Sequence, residues 1–313
     1  MTTWVGEKSY LVMSAEGTWG TKSGSPVYVY HPVNSYTPKM RWEKKMARPF
    51  AGIMQPKNGQ KTRGKVSGQI ATSLYGWKPG SGITTSLAQY MMAWCLGLND
   101  QDRVAKTCEW ARGPNVSNKR HLGMRVTGWT LSGSGDAVNL SIDVTGKDEV
   151  GNDTFTTAQS VPNDQEGVIE MIFPGSTLTL GGTSYDFRSF ELAVKYAMAE
   201  EYNASTRLSI LRSSGVESAT FKCQTENVDD GWQDYNRDSA ELETEIVLAI
   251  QGLHNGTGTG GTDYTVGTFT MPRAQFIDPG EDDSRQIPFN ELSFNLLKPD
   301  TSSDLLSLAW SEV

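Results

Sequence analysis

The chain has 313 residues, of which 37% are hydrophobic and 20% are charged, and it contains 32 glycines. This composition predicts one large or two medium globular domains that are rich in turns. No apolar run approaches the roughly 18 residues of a membrane-spanning helix, and three widely spaced cysteines exclude both a disulfide framework and a zinc pattern.

Two elements are predicted in the middle of the first half. A period-two run between Gly64 and Leu74 predicts a half-buried strand, with one face formed by Val66, Gly68, Ile70, Thr72 and Leu74. The next apolar residues recur at spacings of three and four behind a Thr/Ser cap, which predicts a short helix. Its buried face is formed by Tyr90, Met91, Trp94, Cys95 and Leu98.

The clearest hairpin of the chain closes this half. Residues 124–131 lead into a Gly/Ser/Asp turn at 132–136, and a second alternating run follows. The apolar positions of that second run are Val138, Leu140, Ile142 and Val144.

A weaker version of the same series recurs between Ser218 and Leu296, at an offset of roughly 150 residues. Ala219, Phe221 and Cys223 alternate like the first strand, and residues 268–272 and 287–296 form a second hairpin around an acidic turn. The separation from the strand to the hairpin is about 70 residues in each copy. We therefore predict a duplication with domains at residues 1–165 and 166–313.

Two segments of the second copy are less clearly patterned. Leu242, Ile246 and Val247 behind Asp238-Ser239 predict a helix equivalent to the first one. Residues 190–202 fit a helix and a strand nearly equally, so both alternatives stay open.

A basic arm at residues 39–65 stands out against an otherwise acidic chain of net charge −8. Three interpretations are open: a solvated loop, a nucleic-acid contact with Trp42, Phe50 and Met54 as stacking or packing residues, or a docking element for an acidic surface of an identical subunit. The arm's basic residues are Lys39, Arg41, Lys44, Lys45, Arg48, Lys57, Lys61, Arg63 and Lys65, against Glu43 alone.

The sequence shows only weak signals of catalytic, phosphate-binding or metal-binding sites. His31, His121 and His254 are isolated, and the glycine run at 256–261 lacks the lysine and helix of a phosphate loop. The acidic turn at 278–283 lacks the ligand spacing of an EF-hand. We therefore predict no catalytic residue, no cofactor and no metal site.

Four short motifs resemble the major tail tube proteins of tailed bacteriophages, in the larger, duplicated branch of that group. They are Ser14-Ala15-Glu16-Gly17-Thr18-Trp19-Gly20-Thr21, the extended run 27–33, the strand 64–70 with its Ser-Gly step, and the helix end 94–98. The similarity extends into the second half, at residues 183–187 and 271–276.

This resemblance implies a mainly β (α+β) fold with two tandem tail-tube-like domains. Each domain is expected to be a β-sandwich or half-barrel with a flanking α-helix. The resemblance further implies homotrimeric rings with pseudo-sixfold symmetry that stack into a tube, a virion location in the tail after assembly in the host cytoplasm, and a role as the conduit for DNA ejection. The implied partners are the chain itself, tail terminator and tail-tip proteins, and, transiently in the lumen, the tape-measure protein and DNA, with no membrane contact.

Two sets of residues are predicted to carry this function. The set at the contacts between subunits or rings is Lys39, Arg41, Trp42, Lys44, Lys45, Arg48, Lys57, Lys61 and Arg63. The set facing the lumen, expected to be acidic or uncharged so that DNA does not adhere, is Asn139, Ser141, Asp143, Gln224 and Glu226.

Two alternatives remain at this stage. A receptor- or carbohydrate-binding tail-tip or decoration protein shares the β-rich duplicated build. A hydrolase is the weakest option, because it requires a convergent set of titratable groups.

Overall fold

A computed structural model describes residues 10–24, 29–47, 58–77, 87–97, 105–111, 119–151, 168–203, 206–226, 243–252, 265–277, 289–298 and 304–312. Strands account for most of these residues, and a single helix lies among them. The prediction of a mainly β fold is therefore confirmed.

Ten strands and one helix lie in the described part of the first half. They are β1 (Tyr10–Ala15), β2 (Val29–Pro32), β3 (Ser35–Tyr36), β4 (Lys39–Ala47), β5 (Asn58–Ser73), β6 (Tyr75–Trp77), α1 (Leu87–Leu96), β7 (Lys106–Ala111), β8 (Lys119–Ser134), β9 (Ala137–Gly146) and β10 (Asp148–Gly151).

The described part of the second half contains only strands. They are β11 (Val168–Leu180), β12 (Thr183–Tyr185), β13 (Phe187–Glu201), β14 (Ile210–Glu226), β15 (Glu243–Gly252), β16 (Thr265–Ile277), β17 (Phe289–Leu296) and β18 (Ser307–Glu312).

The central feature is a β-barrel to which both halves contribute strands. Its antiparallel order runs β8, β9, β11, β15, β16, β17, β14, β13 and back to β8. Strands β9 and β11 close the barrel through a single pair of residues, Ala137 opposite Ile172. Next to this pair, β11 also pairs with β6. The two halves therefore share one continuous sheet along the β8–β13 junction.

A smaller antiparallel sheet extends from the first half. Its order is β2, β1, β7, the first part of β8, and β10. Because β8 is 16 residues long, its first part belongs to this small sheet and its second part to the barrel.

The strand pairings of the first half recur in the second half in the same chain order. The pairings β1–β2, β1–β7, β4–β5, β5–β9, β7–β8, β8–β9 and β8–β10 are all antiparallel. Their counterparts are β11–β12, β11–β15, β13–β14, β14–β17, β15–β16, β16–β17 and β16–β18, also antiparallel.

The register of these pairings recurs as well. Ile70 is opposite Ile142 in the first half, and Phe221 is opposite Phe294 about 150 residues further along the chain. All four side chains are buried, so equivalent pairs supply the core in both halves.

The two predicted hairpins are confirmed. Strand β8 continues through Ser134, and the turn contains only Gly135 and Asp136, with a positive φ of 69° at the glycine, a backbone region that glycine enters without steric cost. All four predicted apolar residues of β9 are buried: Val138, Leu140, Ile142 and Val144. Strands β16 and β17 form the second hairpin.

Helix α1 is also confirmed, with Met91, Trp94 and Cys95 buried. Gly97 closes it with a φ of 59° and donates its N–H to the carbonyl of Ala93 at 2.8 Å, which is the usual way a glycine ends a helix. Within the described ranges, no helix has the length and apolar character needed to cross a membrane.

The helix predicted at Leu242, Ile246 and Val247 is wrong where the structure describes it, because residues 243–252 form strand β15. Its buried side chains, Ile246, Leu248 and Ile250, alternate with more exposed ones, so the period is two. Residues 190–202, for which strand and helix were both open, are resolved as a strand through Glu201.

The Ser67-Gly68 step of β5 has a steric reason. A Cβ atom at Gly68 would lie 2.5 Å from both the backbone N and Cα of Pro38, which connects β3 to β4. Backbone atoms cannot rotate away as a flexible side chain can, so a side chain at this position must separate the two segments.

We expect Gly68→Ala to lower the free energy of unfolding by about 1–3 kcal/mol, because this overpacking displaces the β3–β4 backbone. Urea unfolding of the purified monomer measures the change. The matched control is Gly17→Ala, where an added Cβ meets no atom within 4 Å and the change is expected to stay within about 1 kcal/mol. Equal stability of the two variants would contradict the steric explanation.

Candidate assembly surfaces

The basic arm is a β-hairpin. Strands β4 and β5 pair from Lys39 opposite Ser67 to Ala47 opposite Asn58, with Lys44 opposite Lys61. Like charges on directly opposed residues repel each other, so this pair does not stabilise the folded hairpin. We call residues 39–47 and 58–65 the basic hairpin.

The basic hairpin carries most of the predicted interface residues. Side chains of Lys39, Arg41, Lys44, Lys61 and Arg63 are exposed, and Trp42 is half-buried. Lys45 lies on β4, but its side chain is outside the described set, and Arg48 and Lys57 lie outside the described residues altogether.

Trp42 packs within the hairpin. A Cβ at Gly64 would lie 2.7 Å from Trp42 Cε3 and equally close to Met40 Cε, so the glycine lets both side chains cross the opposing strand. The ammonium of Lys61 lies 5.4 Å from the centre of the Trp42 ring, a cation–π distance. Of the two roles considered for this tryptophan, the observed one is packing.

The base of the hairpin is attached to the turn between β13 and β14. Gly64 donates its N–H to Thr206 O at 2.8 Å and accepts from Leu208 N at 3.1 Å. The Arg63 guanidinium lies 5.1 Å from the Tyr202 ring centre, and Lys65 forms an ion pair with Glu200. These contacts fix the direction of the hairpin, and they leave the charges nearer its tip exposed.

A partly buried hydrogen-bonded network holds the other side of the base. Glu149 on β10 accepts the backbone N–H of Met40 at 2.8 Å and the ammonium of Lys119 at 3.0 Å, and its third contact is His121 Nε2 at 3.2 Å. His121 Nδ1 lies 2.6 Å from the Tyr36 hydroxyl. A neutral His121 that donates from Nε2 and accepts at Nδ1 satisfies every group.

The ionisation of this network follows from its burial. Desolvation lowers the pKa of His121 to about 4, despite the opposing effect of Glu149. Burial alone would raise the pKa of Glu149, but the hydrogen bonds from Met40, Lys119 and His121 outweigh it and the net pKa is lowered. At neutral pH the network therefore holds a neutral imidazole and a carboxylate.

We expect the protein to lose stability as the pH falls from 6.5 toward 4. Unfolded His121 binds a proton near pH 6.5, whereas the folded side chain resists it to about pH 4, so protonation favours the unfolded state in this window. Burial of His31, whose pKa is lowered to about 3, acts in the same direction. The His121 contribution over this window is on the order of 3 kcal/mol.

Urea unfolding at pH 7, 6 and 5 tests this expectation. His121→Gln retains hydrogen-bonding capacity without a titrating group, so its stability should fall less steeply over this range than that of the unmodified protein. Identical pH dependence in both proteins would show that His121 is not responsible.

The predicted lumen-facing residues lie on one surface of one sheet. Asn139, Ser141 and Asp143 alternate on β9 with buried apolar residues, and Gln224 alternates in the same way on β14. Glu226 lies at the end of β14, with its side chain outside the described set. Antiparallel register places this face continuously across β5, β9, β8, β13, β14 and β17.

We call this surface the polar sheet face. Its uncharged positions are mainly serine, threonine, asparagine and glutamine, and they include Gln69, Thr130, Ser132, Thr220, Ser293 and Asn295. Asp143, Glu191 and Glu291 supply negative charge. Two lysines that sequence reasoning missed, Lys195 and Lys222, lie on the same face, and their alternation with Val194 and Phe221 was the available signal.

The docking hypothesis has two candidate acidic surfaces, the acidic residues between 226 and 245 and the acidic turn at 278–283, and both lie largely outside the described residues. Glu243 on β15 is described, and it binds the Arg273 guanidinium through two hydrogen bonds of 2.7 Å. This carboxylate therefore already has a cationic partner within the chain.

No group of three or more potential metal ligands occurs in the part of the chain that the structure describes. Cys95, Cys108 and Cys223 are buried free thiols, and burial raises the pKa of all three, to about 12 for Cys223. Such thiols are protonated and are poor nucleophiles at neutral pH.

The barrel, the basic hairpin and the polar sheet face give the chain surfaces suited to association with other protein chains. A family model described as "Phage tail tube protein" matches residues 6–289. The chain belongs to this family, so it is a structural component of a bacteriophage tail that self-assembles into a tube with other tail proteins, and the resemblance in the sequence is confirmed. The family is not a class of enzymes. No curated protein matches the chain.

Proposed function

We propose that this chain forms homotrimeric rings that stack into the tail tube and that the tube conducts DNA during ejection. The observation that carries this proposal is the recurrence of seven strand pairings in both halves of the chain. Three such subunits supply six equivalent units, which closes a pseudo-sixfold ring. The proposed units are residues 1–165 and 166–313.

The contact between the halves supports a specific ring geometry. Inside the chain, β8 of the first half pairs with β13 of the second from Gly128 to Ser134. The equivalent contact at a subunit boundary joins β4 of one subunit to the end of β16 of the next, beyond Gln275, because β15 already pairs with β16 from Val266 to Gln275. The outer edge of β4 pairs with no strand among the described residues, and ring closure would cover this edge.

Charge complementarity supports the same boundary. The sequence that follows Ile277, the last residue of β16, is Asp278-Pro279-Gly280-Glu281-Asp282-Asp283, and β4 contributes Lys39, Arg41 and Lys44. Glu149 already occupies the N–H of Met40, so new strand pairing along this edge would begin beyond that residue. Opposite charges on the two sides set register and speed association.

The polar sheet face is the proposed channel lining. Its side chains are mainly short, polar and uncharged, and its carboxylates offset the positive charge of Lys65, Lys195 and Lys222, so we expect DNA to pass without being retained. Lys195 is partly neutralised by Glu217 at 2.9 Å, which reduces the positive charge of this face. The basic hairpin lies outside the channel in this arrangement, at contacts between subunits or stacked rings.

Sedimentation velocity and negative-stain electron microscopy of the purified protein test the proposal. We expect rings with threefold symmetry that stack into hollow tubes as the concentration rises. Monomers at all concentrations, or solid aggregates without a channel, would contradict it. The family match favours this function over that of a receptor-binding tip or decoration protein.

A further inference from the structure

A second feature suited to association lies where β8 and β13 separate. Their pairing ends at Gly128 opposite Lys195, after which β13 continues with β14, and the preceding part of β8 continues into the small sheet. The C-terminal end of α1 covers the cleft between them. The resulting cavity has a volume of about 310 Å³, enough for one or two side chains.

Two arginines line this cavity. Arg125 reaches it from β8 and Arg212 from β14, with Tyr196 and Met198 of β13 between them. Arg125 Nε is buried without a hydrogen-bond partner, and neither guanidinium has a salt bridge with a carboxylate among the described residues. Arg125 is half-buried and Arg212 is exposed, so the unmet requirement is that of the buried Arg125 Nε, and an anion between the two guanidinium groups would satisfy it.

The remaining lining distinguishes among anions. Trp94, Val126 and Met198 present apolar surface beside the two guanidinium groups. A carboxylate on a short methylene stem matches this combination, since its planar oxygens accept paired hydrogen bonds from arginine and its stem packs against apolar side chains.

The α1 end of the cavity is fixed in place. Tyr196 donates its hydroxyl to the carbonyl of Cys95 in the last turn of α1, and Trp129 Nε1 contacts the same hydroxyl at 3.4 Å. Burial lowers the pKa of Arg125 while the Glu16 carboxylate opposes this effect, so Arg125 remains available as a cation. A rigid wall reduces the entropic cost of binding a partner.

We propose that this cavity, the Arg125–Arg212 pocket, receives an Asp or Glu side chain from a second copy of this chain. The chain carries 36 acidic residues against 28 basic ones, so identical copies supply the complementary charge. The proposal rests on the assembly described above. It assigns an intersubunit role to two arginines outside the basic hairpin.

Site-specific photocrosslinking tests the proposal. Met198 is replaced by p-benzoylphenylalanine, and tubes are assembled from an equal mixture of ¹⁵N-labelled and unlabelled chains, irradiated and analysed by mass spectrometry. We expect mixed-isotope crosslinks to a peptide that contains Asp or Glu. Tubes without an interchain crosslink overturn the pocket's role alone, and an absence of tubes overturns both this inference and the proposed function.

An intrachain crosslink would also overturn the proposal. The sequence after α1 contains Asp100 and Asp102, so a same-isotope crosslink to residues 98–104 would assign the pocket to its own chain. A crosslink to a neighbouring copy through a peptide without acidic residues would refute the charge argument.

Arginine variants provide a second measurement. Arg212 is exposed, so Arg212→Glu should leave the fold intact and raise the concentration at which half of the protein assembles by about tenfold or more. Arg125→Gln should act in the same direction. The matched control is Lys298→Glu, an exposed cation away from the pocket, which should leave this concentration unchanged. Equal effects of Arg212→Glu and Lys298→Glu would overturn the proposal.

Discussion

Charge reversal at Lys44 and Lys61 is expected to abolish tube formation while the monomer stays folded. The two side chains are exposed and directly opposed on the basic hairpin, so their replacement by glutamate removes no buried contact of the core. The variant presents negative charge to a partner surface that we propose is acidic, and like charges brought together at an interface cost several kcal/mol. Negative-stain images score tubes, and circular dichroism reports the fold.

The matched control carries the same change in net charge elsewhere. Lys222→Glu/Lys298→Glu reverses two exposed lysines, one on the polar sheet face and one after β17, and we expect it to assemble. Failure of both double variants would indicate that net charge alone prevents assembly. Normal tubes from Lys44→Glu/Lys61→Glu would show that the positive charge of the basic hairpin is not required for assembly.

Removal of the Glu16 side chain is expected to cause a large loss of folding stability. This glutamate is 4% exposed. Its carboxylate accepts hydrogen bonds from Gly20 N at 2.6 Å, Thr107 Oγ1 at 2.8 Å and Gly123 N at 2.8 Å. One side chain therefore joins the loop after β1 to β7 and β8. We expect Glu16→Ala to lower the free energy of unfolding by about 3–5 kcal/mol, because three donors lose a charged acceptor.

Urea unfolding compares this variant with a surface substitution of the same type. Glu217→Ala removes an exposed glutamate paired with Lys195 at 2.9 Å and should cost less than about 1 kcal/mol. Equal losses in the two variants would show that the Glu16 hydrogen bonds contribute no more than an exposed ion pair.

Short-range sequence patterns correctly predicted the strands and the helix that are determined by neighbouring residues. The β8–β9 hairpin combines period-two alternation with a Gly-Asp turn, and α1 combines helical spacing with a glycine at its end. The recurring strand and hairpin were visible because buried residues repeat at the same offsets, as in Ile70 and Phe221.

Features that depend on distant contacts were missed. Leu242, Ile246 and Val247 were predicted to lie on a helix, whereas pairing with β11 and β16 makes residues 243–252 a strand. Barrel closure between Ala137 and Ile172 has no local signature. The role of Glu16 depends on Gly123, whose partnership is set by the packing of β1, β7 and β8.

The basic hairpin was recognised by charge and not by structure. Exposed side chains on β4 and on residues 61–63 of β5 hide the alternation that usually predicts a strand, so these residues were treated as an arm. Residues predicted to face the lumen, such as Ser141, could be assigned to one face of their strands, because alternation with buried neighbours fixes the face of a strand. Which face lines a channel depends on assembly and stays a prediction.

A cryo-EM reconstruction of assembled tubes tests the central claim most directly. We predict rings of three subunits in which Asn139, Ser141 and Asp143 line the channel while Lys44 and Lys61 contact a neighbouring subunit or ring. A channel lined by Lys44 and Lys61, with the polar sheet face turned outward, would contradict the account.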